Sequence, residues 1–241
     1  MANTEQTFAD RLQRGRTMQS KTEGFAPVFA PADPTLAPAT FDLFLDDVDT
    51  SNLAVATAGA AETSATNLRK SLMLQIKDRT TRAVNYVASN EAWDQFLPAI
   101  KQAANKVRNV RPAKTATPPP ANGDTPPPTK KRMTGQQSYG DIEGLFEKVV
   151  EAVKLVPAYA PPPESQIQLA TLSTLQSDYR AANKGVATTG AAMTKAERAR
   201  KALYDGEKKS LRTKMRAIKK ATRAQYGASS AEFAQIKSIK L

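Results

Sequence analysis

The sequence contains an internal repeat: residues 6–110 recur as residues 137–241 at a shift of 131. The clearest match pairs residues 52–72 with residues 183–203, where Val, Ala, Thr, Gly, Ala, Ala, Thr, Ala, Arg, Lys and Leu coincide. Closer to the ends the match needs gaps, although residues 86–89 still correspond to residues 226–229. Repeats of this length are two copies of a small domain, not the short units of a solenoid. The repeat therefore predicts two homologous domains, over residues 1–110 and 137–241.

A Pro-rich, basic segment over residues 111–136 separates the two copies. It holds Pro runs at 118–120 and 126–128 and the three cations Lys130, Lys131 and Arg132. Because proline fixes φ and lacks a backbone donor, this composition is typical of a semi-rigid linker. Smaller Pro clusters at residues 27–38 and 157–163 predict one internal loop in each copy.

Between these segments the apolar residues recur at three- and four-residue spacings, which is typical of amphipathic helices. The clearest helix is predicted over residues 141–156, with Ser138 or Asp141 as its N-cap and Pro157 after its end. Helices are also predicted over residues 7–20, 39–76, 77–88, 166–204 and 211–226, and two more follow the N-caps at residues 89–91 and 229–232. No segment predicts a strand. The predicted fold is all-α, with two tandem helical-bundle repeats whose long helices run antiparallel.

The chain has no Cys and no His. It therefore lacks disulfides, thiolate chemistry, the commonest general base at neutral pH and the commonest metal ligand. Asp46, Asp47 and Asp49 point in different directions on a helix, which argues against a metal or acid–base site. Residues 206–210 lack the leading Gly and the strand of a phosphate-binding loop. We therefore expect a non-enzymatic protein with no cofactor and no bound metal.

The repeated Val-Ala-Thr-x-Gly-Ala-Ala motif places Gly59 and Gly190 in the middle of long helices, where Gly costs about 1 kcal/mol relative to Ala. A residue that weakens its helix in both copies indicates a gain elsewhere. We expect that gain to be close helix packing through Gly59, Ala60, Gly190 and Ala191, between the copies or between subunits.

Charge is distributed unevenly along the chain. Residues 1–100 carry 9 Lys or Arg against 12 Asp or Glu, whereas residues 195–241 carry 14 against 4. The linker cations and a basic helix at 208–223 form a candidate surface for phosphates or an acidic partner, and its residues are Lys130, Lys131, Arg132, Lys208, Lys209, Arg212, Arg216, Lys219, Lys220 and Arg223. Two alternatives stay open: an anionic membrane surface, which the lack of Trp and Phe on the apolar side of the helix disfavours, and a solvated helix whose charge meets the acidic patch Asp42, Asp46, Asp47 and Asp49 of the other copy or of a neighbouring molecule.

The C-terminal residues 226–233, Tyr-Gly-Ala-Ser-Ser-Ala-Glu-Phe, with residues 215–219 before them, resemble a signature of small helical bacterial proteins of unknown function. The resemblance implies a helical tandem-repeat unit and a bacterial source, and it implies no activity and no functional residues.

Taken together, these patterns predict a non-enzymatic structural protein that assembles with itself as a homo-oligomer or filament. The alternative is a basic protein that binds nucleic acid non-specifically through phosphates. The polar start of the chain and the absence of a long apolar run predict no signal peptide and no membrane span, hence a cytoplasmic protein by default. Export by a route that reads no N-terminal signal stays compatible with the sequence.

Overall fold

The computed structural model describes residues 3–108 and 138–240. Within them the chain folds into the helices α1 Asn3–Glu23, α2 Pro38–Ala88, α3 Leu97–Arg108, α4 Tyr139–Lys154, α5 Leu169–Asp205, α6 Leu211–Tyr226 and α7 Ala231–Lys237. Short 3-10 turns at Pro34–Leu36, Glu91–Trp93 and Pro163–Ser165 precede α2, α3 and α5. No described residue lies in a β-strand, so the predicted all-α class is confirmed. The predicted linker, residues 111–136, lies outside the described residues.

Local capping chemistry sets the ends of several helices. Ser138 caps α4 through a capping box: its Oγ accepts from the backbone N of Asp141 at 3.1 Å, and Asp141 Oδ2 accepts from the backbone N of Ser138 at 2.9 Å. α6 begins after the N-cap Ser210 and ends at Gly227, whose φ of 96° is a left-handed value that favours glycine. Ser230 caps α7 in the same way as Ser210 caps α6. These caps confirm the predicted positions of α4 and α6.

One helix prediction was wrong, because α2 is a single helix of 51 residues where two helices were predicted, over 39–76 and 77–88. No Gly or Pro lies near residue 76 to end the helix. Arg79 donates to Gln75 Oε1 at 3.3 Å across the predicted break, and side-chain pairs at i,i+4 spacing stabilise a continuous helix. The buried face also continues from Ile76 through Ala83 to Val87, so packing favours the unbroken form.

The described chain divides into two compact units, each with its own hydrophobic core. Unit 1 comprises Met1–Thr63 and Thr188–Leu241, and unit 2 comprises Ser64–Ala187. The core of unit 1 contains Phe41, Leu45, Tyr204, Leu211, Met215, Ile218 and Ile236. The core of unit 2 contains Ile76, Val87, Ile100, Phe146, Val150, Leu172 and Tyr179. None of the described helices is both long and apolar enough to cross a lipid bilayer.

Each unit is built from both halves of the sequence, so the unit boundaries differ from the predicted domain boundaries. In unit 1, α1 and the start of α2 pack with the end of α5, α6 and α7. In unit 2, the end of α2 and α3 pack with α4 and the start of α5. The reason is that α2 and α5 are long enough to supply side chains to both cores.

The helix ends follow the sequence shift. α1 ends at Glu23 and α4 at Lys154, and α2 begins at Pro38 while α5 begins at Leu169. Both separations equal the 131 residues of the sequence match.

Gly15 allows α1 to lie close to its neighbours in unit 1. A Cβ atom at this position would lie 2.7 Å from Leu45 Cδ2 and 3.1 Å from Leu211 Cδ1. Both leucines are buried core residues, so there is little room for a larger side chain. Glycine is a poor helix former, so the residue at position 15 weakens α1 locally but allows the close packing of this unit.

Because each core contains side chains from both halves of the chain, the two halves should stay associated after the chain is cut between them. We expect a full-length protein carrying a specific protease site within residues 111–136 to elute, after cleavage, as one particle containing both fragments. Size-exclusion chromatography with light scattering measures this, and uncleaved protein is the control. Two separate peaks of single fragments under native conditions would contradict the shared cores.

Candidate interaction surfaces

Helix α6 is amphipathic, and its apolar side completes the core of unit 1. Leu211, Met215, Ile218 and Thr222 are buried at helical spacing. Lys214 is also buried. Its Nζ donates to the carbonyl oxygen of Thr35 at 3.1 Å and lies 5.0 Å from the centre of the Phe44 ring. Burial lowers the pKa of the Lys214 amine, and the nearby Asp33 carboxylate partly opposes that shift.

Five cations lie together on another side of α6, and we call this surface the basic face: Arg212, Arg216, Lys219, Lys220 and Arg223. At about 100° per residue they fall within an arc of about 100° and extend over about 16 Å of the helix axis. All but the half-buried Lys219 are exposed. The helix contains no Asp or Glu, so it adds no negative charge to this surface.

The exposed cations of the basic face have no direct partner in the described part of the chain. Arg212, Arg216, Lys220 and Arg223 form no ion pair and no side-chain hydrogen bond with another described residue. Lys219 differs, since its Nζ donates to the backbone carbonyls of Lys237 and Ile239. Charged groups that lack an internal partner are available to an external one.

The remaining predicted cations have separate positions. Lys208 and Lys209 are exposed in the loop before α6, and Lys209 has a φ of 61°. The loop begins at Gly206. A Cβ atom at this position would lie 2.5 Å from the carbonyl oxygen of Ala202, so a residue with a side chain would not fit without a shift of the backbone. Lys130, Lys131 and Arg132 lie outside the described residues.

The acidic patch on α2 pairs with α1. Arg16 lies 3.9 Å from Asp42, 3.2 Å from Asp46 and 3.4 Å from Asp49, between guanidinium nitrogens and carboxylate oxygens. These Asp side chains are 47–60% exposed, so the pairs add little stability. The basic face and the acidic patch therefore do not neutralise each other in the described chain. Pairing of the basic face with the patch of a neighbouring molecule stays a prediction.

The small residues of the repeated motif lie at the surface or near it. Gly59 and Gly190 are half-buried, and Ala60 and Ala191 are exposed. A Cβ at Gly59 would lie 3.7 Å from Met193 Cε, and one at Gly190 would lie 3.4 Å from Glu62 Oε1. These neighbours are side-chain ends, so no contact between helix backbones within the chain requires glycine here. A contact with a second subunit stays a prediction for these four residues.

A cluster of polar and aromatic side chains holds the start of α1 in unit 1. The guanidinium carbon of Arg200 lies 4.3 Å from the centre of the Phe8 ring, and Arg200 is 5% exposed. Tyr204 Oη donates to the carbonyl of Phe8 at 2.9 Å, and Asn52 Nδ2 donates to Tyr204 Oη at 2.9 Å. Cation–π contacts strengthen when they are shielded from water, so this cluster fixes α1 against α2 and α5.

A second cluster holds the start of α4 in unit 2. The guanidinium carbon of Arg69 lies 3.6 Å from the centre of the Tyr139 ring. Tyr179 Oη donates to the carbonyl of Tyr139 at 3.3 Å, and Asn183 Nδ2 donates to the same carbonyl at 3.5 Å and to Glu143 at 2.9 Å. Burial raises the pKa of Tyr179 to about 12, so the phenol keeps its proton and remains a donor.

The two clusters use matching positions of the sequence. Phe8 and Tyr139, Asn52 and Asn183, and Arg69 and Arg200 are each 131 residues apart. The sequence analysis missed both clusters. The available signal was the coincidence of these Asn and Arg positions in the strongest part of the match, but a sequence does not indicate which aromatic ring an arginine will meet.

No known protein-family model, curated protein or solved structure matches this chain. The resemblance of residues 226–233 to helical bacterial proteins therefore stays a prediction.

The contact between Arg69 and Tyr139 should be measurable as a coupling energy. We expect a double-mutant cycle with Arg69→Met and Tyr139→Leu to give about 0.5–2 kcal/mol, because both substitutions keep apolar volume and remove only the cation or the aromatic ring. Urea unfolding of the four proteins measures it. The cycle of Arg69→Met with Phe146→Leu, a core residue of the same unit, tests specificity. Equal coupling in both cycles would contradict a specific contact.

Stability should fall in acid through two hydrogen-bonded carboxylates. Arg180 lowers the pKa of Glu143 below its ordinary value of 4.5, and Arg11 lowers that of Asp205 below 3.8. Such groups stabilise the fold above their unfolded pKa and lose that contribution as the pH falls through the folded pKa. We expect the melting temperature to be steady from pH 7 to about 5 and to drop below about 4.5.

The variant Glu143→Gln should show a shallower loss of melting temperature between pH 5 and 3 than the unmodified protein. Glu164→Gln changes an exposed residue of a short turn and serves as the control. If both variants follow the unmodified protein, Glu143 does not carry the acid sensitivity.

Proposed function

We propose that the protein is a non-enzymatic helical protein that binds phosphate-rich polyanions, nucleic acid among them, along the basic face of α6. The proposal is carried by one observation: four exposed cations lie on one side of a helix and form no ion pair with a carboxylate within 4 Å among the described residues, although Arg212 is near enough to Asp205 to help lower its pKa. Pairing within the chain was the simplest alternative for these cations, and Arg16 is the residue that contacts the acidic patch instead.

The chemistry of the basic face fits phosphate groups. A guanidinium can donate two parallel hydrogen bonds to a phosphate, and an ammonium adds a compact positive charge. A helix segment of about 16 Å can follow several successive phosphates of one strand or groove edge. No aromatic side chain lies among Arg212, Arg216, Lys220 and Arg223 to stack on bases. Contacts of this kind position a nucleic acid without reading its sequence.

Binding should also stabilise unit 1. Like charges at i,i+4 spacing, such as those of Arg212, Arg216 and Lys220, destabilise a helix by about 0.2–0.5 kcal/mol for each pair. A bound polyanion removes this repulsion, and any ligand that binds only the folded state raises its stability.

The proposal is tested by the triple variant Arg212→Gln, Arg216→Gln and Lys220→Gln. The unmodified protein should shift the mobility of a random-sequence duplex at 50 mM salt and lose about 100-fold in affinity by 200 mM salt, as expected for about four neutralised phosphates. The triple variant should reduce the slope of log affinity against log salt by about three. Fluorescence anisotropy over a salt series measures both quantities.

A matched control separates the basic face from total charge. The triple variant Lys70→Gln, Lys101→Gln and Lys148→Gln removes the same charge from exposed positions of unit 2. Its slope should change by less than about one. If the two variants lose affinity equally, binding depends on net charge and the basic face is not the site.

We propose as well that the two halves are duplicated copies of one helical unit. The proposal is supported by the shared separation of 131 residues between the ends of α1 and α4, between the starts of α2 and α5, and between the members of the two polar clusters. Equal spacing in both secondary structure and side-chain contacts is what homologous copies predict.

A second candidate function is self-association as a homo-oligomer or filament, favoured by large aliphatic side chains at the surface. Their exposure ranges from 55% to 79%, and they are Val28, Leu43, Leu53, Leu68, Leu74 and Leu155. Burial of such side chains between two molecules would stabilise an assembly, and salt would not weaken this apolar contact as it weakens surface ion pairs.

Light scattering at 0.5 M salt tests this candidate. We expect particles larger than the 26.0 kDa chain, and smaller ones for the variant Leu43→Ser and Leu53→Ser. The control variant Val156→Ser changes a buried residue of unit 2, so it should lower stability without lowering association at a temperature where it is folded. A monodisperse monomer over a wide concentration range would contradict self-association.

A further inference from the structure

The contacts that complete each unit are reciprocal between the two halves of the chain. In unit 1, Arg200 from the second half contacts Phe8 from the first half. In unit 2, Arg69 from the first half contacts Tyr139 from the second half. Both pairs join the same two matching positions, with the halves interchanged. This is the pattern of an isologous dimer, in which residue i of one subunit contacts residue j of the other and j contacts i.

Two tyrosines at matching positions also make reciprocal contacts between the halves, each with an internal Pro-rich loop. Tyr86 Oη donates to the carbonyl of Ala160, and its ring lies 5.4 Å from that of Tyr159 in an edge-on arrangement. Tyr226 Oη donates to the carbonyl of Pro27, and its ring lies 5.5 Å from that of Phe25, again edge-on. Tyr86 and Tyr226 are matching residues of the repeat. Each therefore reaches the Pro-rich loop of the opposite half within its own unit.

Further polar contacts within unit 1 also cross from one half to the other. Arg11 makes a bidentate contact with the Asp205 carboxylate at 2.7 and 3.0 Å, and Lys214 donates to the carbonyl of Thr35. Neither half contains both partners of these contacts. A half of the chain thus presents a surface that is complementary to the opposite half, whichever molecule supplies it.

We propose that the opposite half of a second copy is a binding partner for each half of this chain, so that the protein associates with itself by exchange of halves. The inference rests on the self-association proposed above and names its surface. Exchange creates no new contact geometry, because every contact of the exchanged pair already exists within one chain. A closed exchange gives a dimer, and an open exchange gives a chain of molecules.

Concentration determines which form is present. The linker of residues 111–136 keeps the two halves of one molecule together at an effective concentration of the order of millimolar. Dilute protein therefore pairs its own halves, and protein refolded near millimolar concentration pairs halves from different molecules. Exchange between folded molecules is slow, because both cores must open first.

The experiment uses two full-length versions with the same protease site inside residues 111–136. The first version carries an affinity tag at its N-terminus and the second carries a different tag at its C-terminus. The two are unfolded together in urea and refolded at micromolar or millimolar concentration. The refolded protein is sized by size-exclusion chromatography, the whole mixture is cleaved at the site, and the first half of the first version is captured under native conditions.

Exchange predicts that the captured half brings the second half of the other version. The ratio of that foreign half to its own second half should rise at least about tenfold from micromolar to millimolar refolding. Docking through surface leucines also gives dimers, but each captured half would then keep its own second half, and any foreign second half would be captured together with the foreign first half. That result would overturn the exchange and leave self-association standing. Monomer alone after millimolar refolding, or halves that separate on cleavage, would overturn it as well.

Discussion

The fold depends on two long helices, α2 and α5, each of which contributes side chains to both hydrophobic cores. α2 carries Phe41 and Leu45 to the core of unit 1 and Ile76 and Val87 to that of unit 2, and α5 does the same in the other order. Each core contains side chains from both halves of the sequence. The fold therefore relies on contacts between distant residues, such as Arg11 and Asp205, 194 positions apart, which makes folding slow compared with simple bundles.

The sequence predicted what depends on local chemistry. The bounds of α6, the N-cap of α4 as one of two candidates, and the all-α class follow from spacing, caps and the absence of strand patterns, which act over a few residues. The unbroken α2 was missed because continuity there is decided by a buried face that extends past residue 76. The spacing of Leu172 or Ile100 indicates that the side chain is buried, but it does not indicate in which core. The division into two units therefore could not be predicted from the sequence.

The candidate surface was predicted in part for the same reason. Composition identified the cations of residues 208–223, but only packing separates those that face solvent from those that do not. Lys214 is buried under Phe44, and Lys219 is held by carbonyls near the end of the chain. The four exposed cations of α6, Arg212, Arg216, Lys220 and Arg223, lie on one side of the helix. The acidic residues of α2 also formed a clear sequence pattern. In the structure Arg16 of α1 contacts Asp42, Asp46 and Asp49, and no spacing rule identifies that arginine as their partner.

The loop at residues 206–210 makes the two halves of the chain respond differently to a change in length. At matching positions the first half continues as α2, whereas the second half is interrupted at Gly206 and begins a new helix after the N-cap Ser210. A residue added within α2 near residue 76 would rotate the later buried side chains of that helix, such as Val87, by about 100° away from the core of unit 2. A residue added within the loop would be absorbed there, because α6 is oriented by its own buried side. At this position, therefore, the second half of the chain can change in length with less disturbance of its core than the first half.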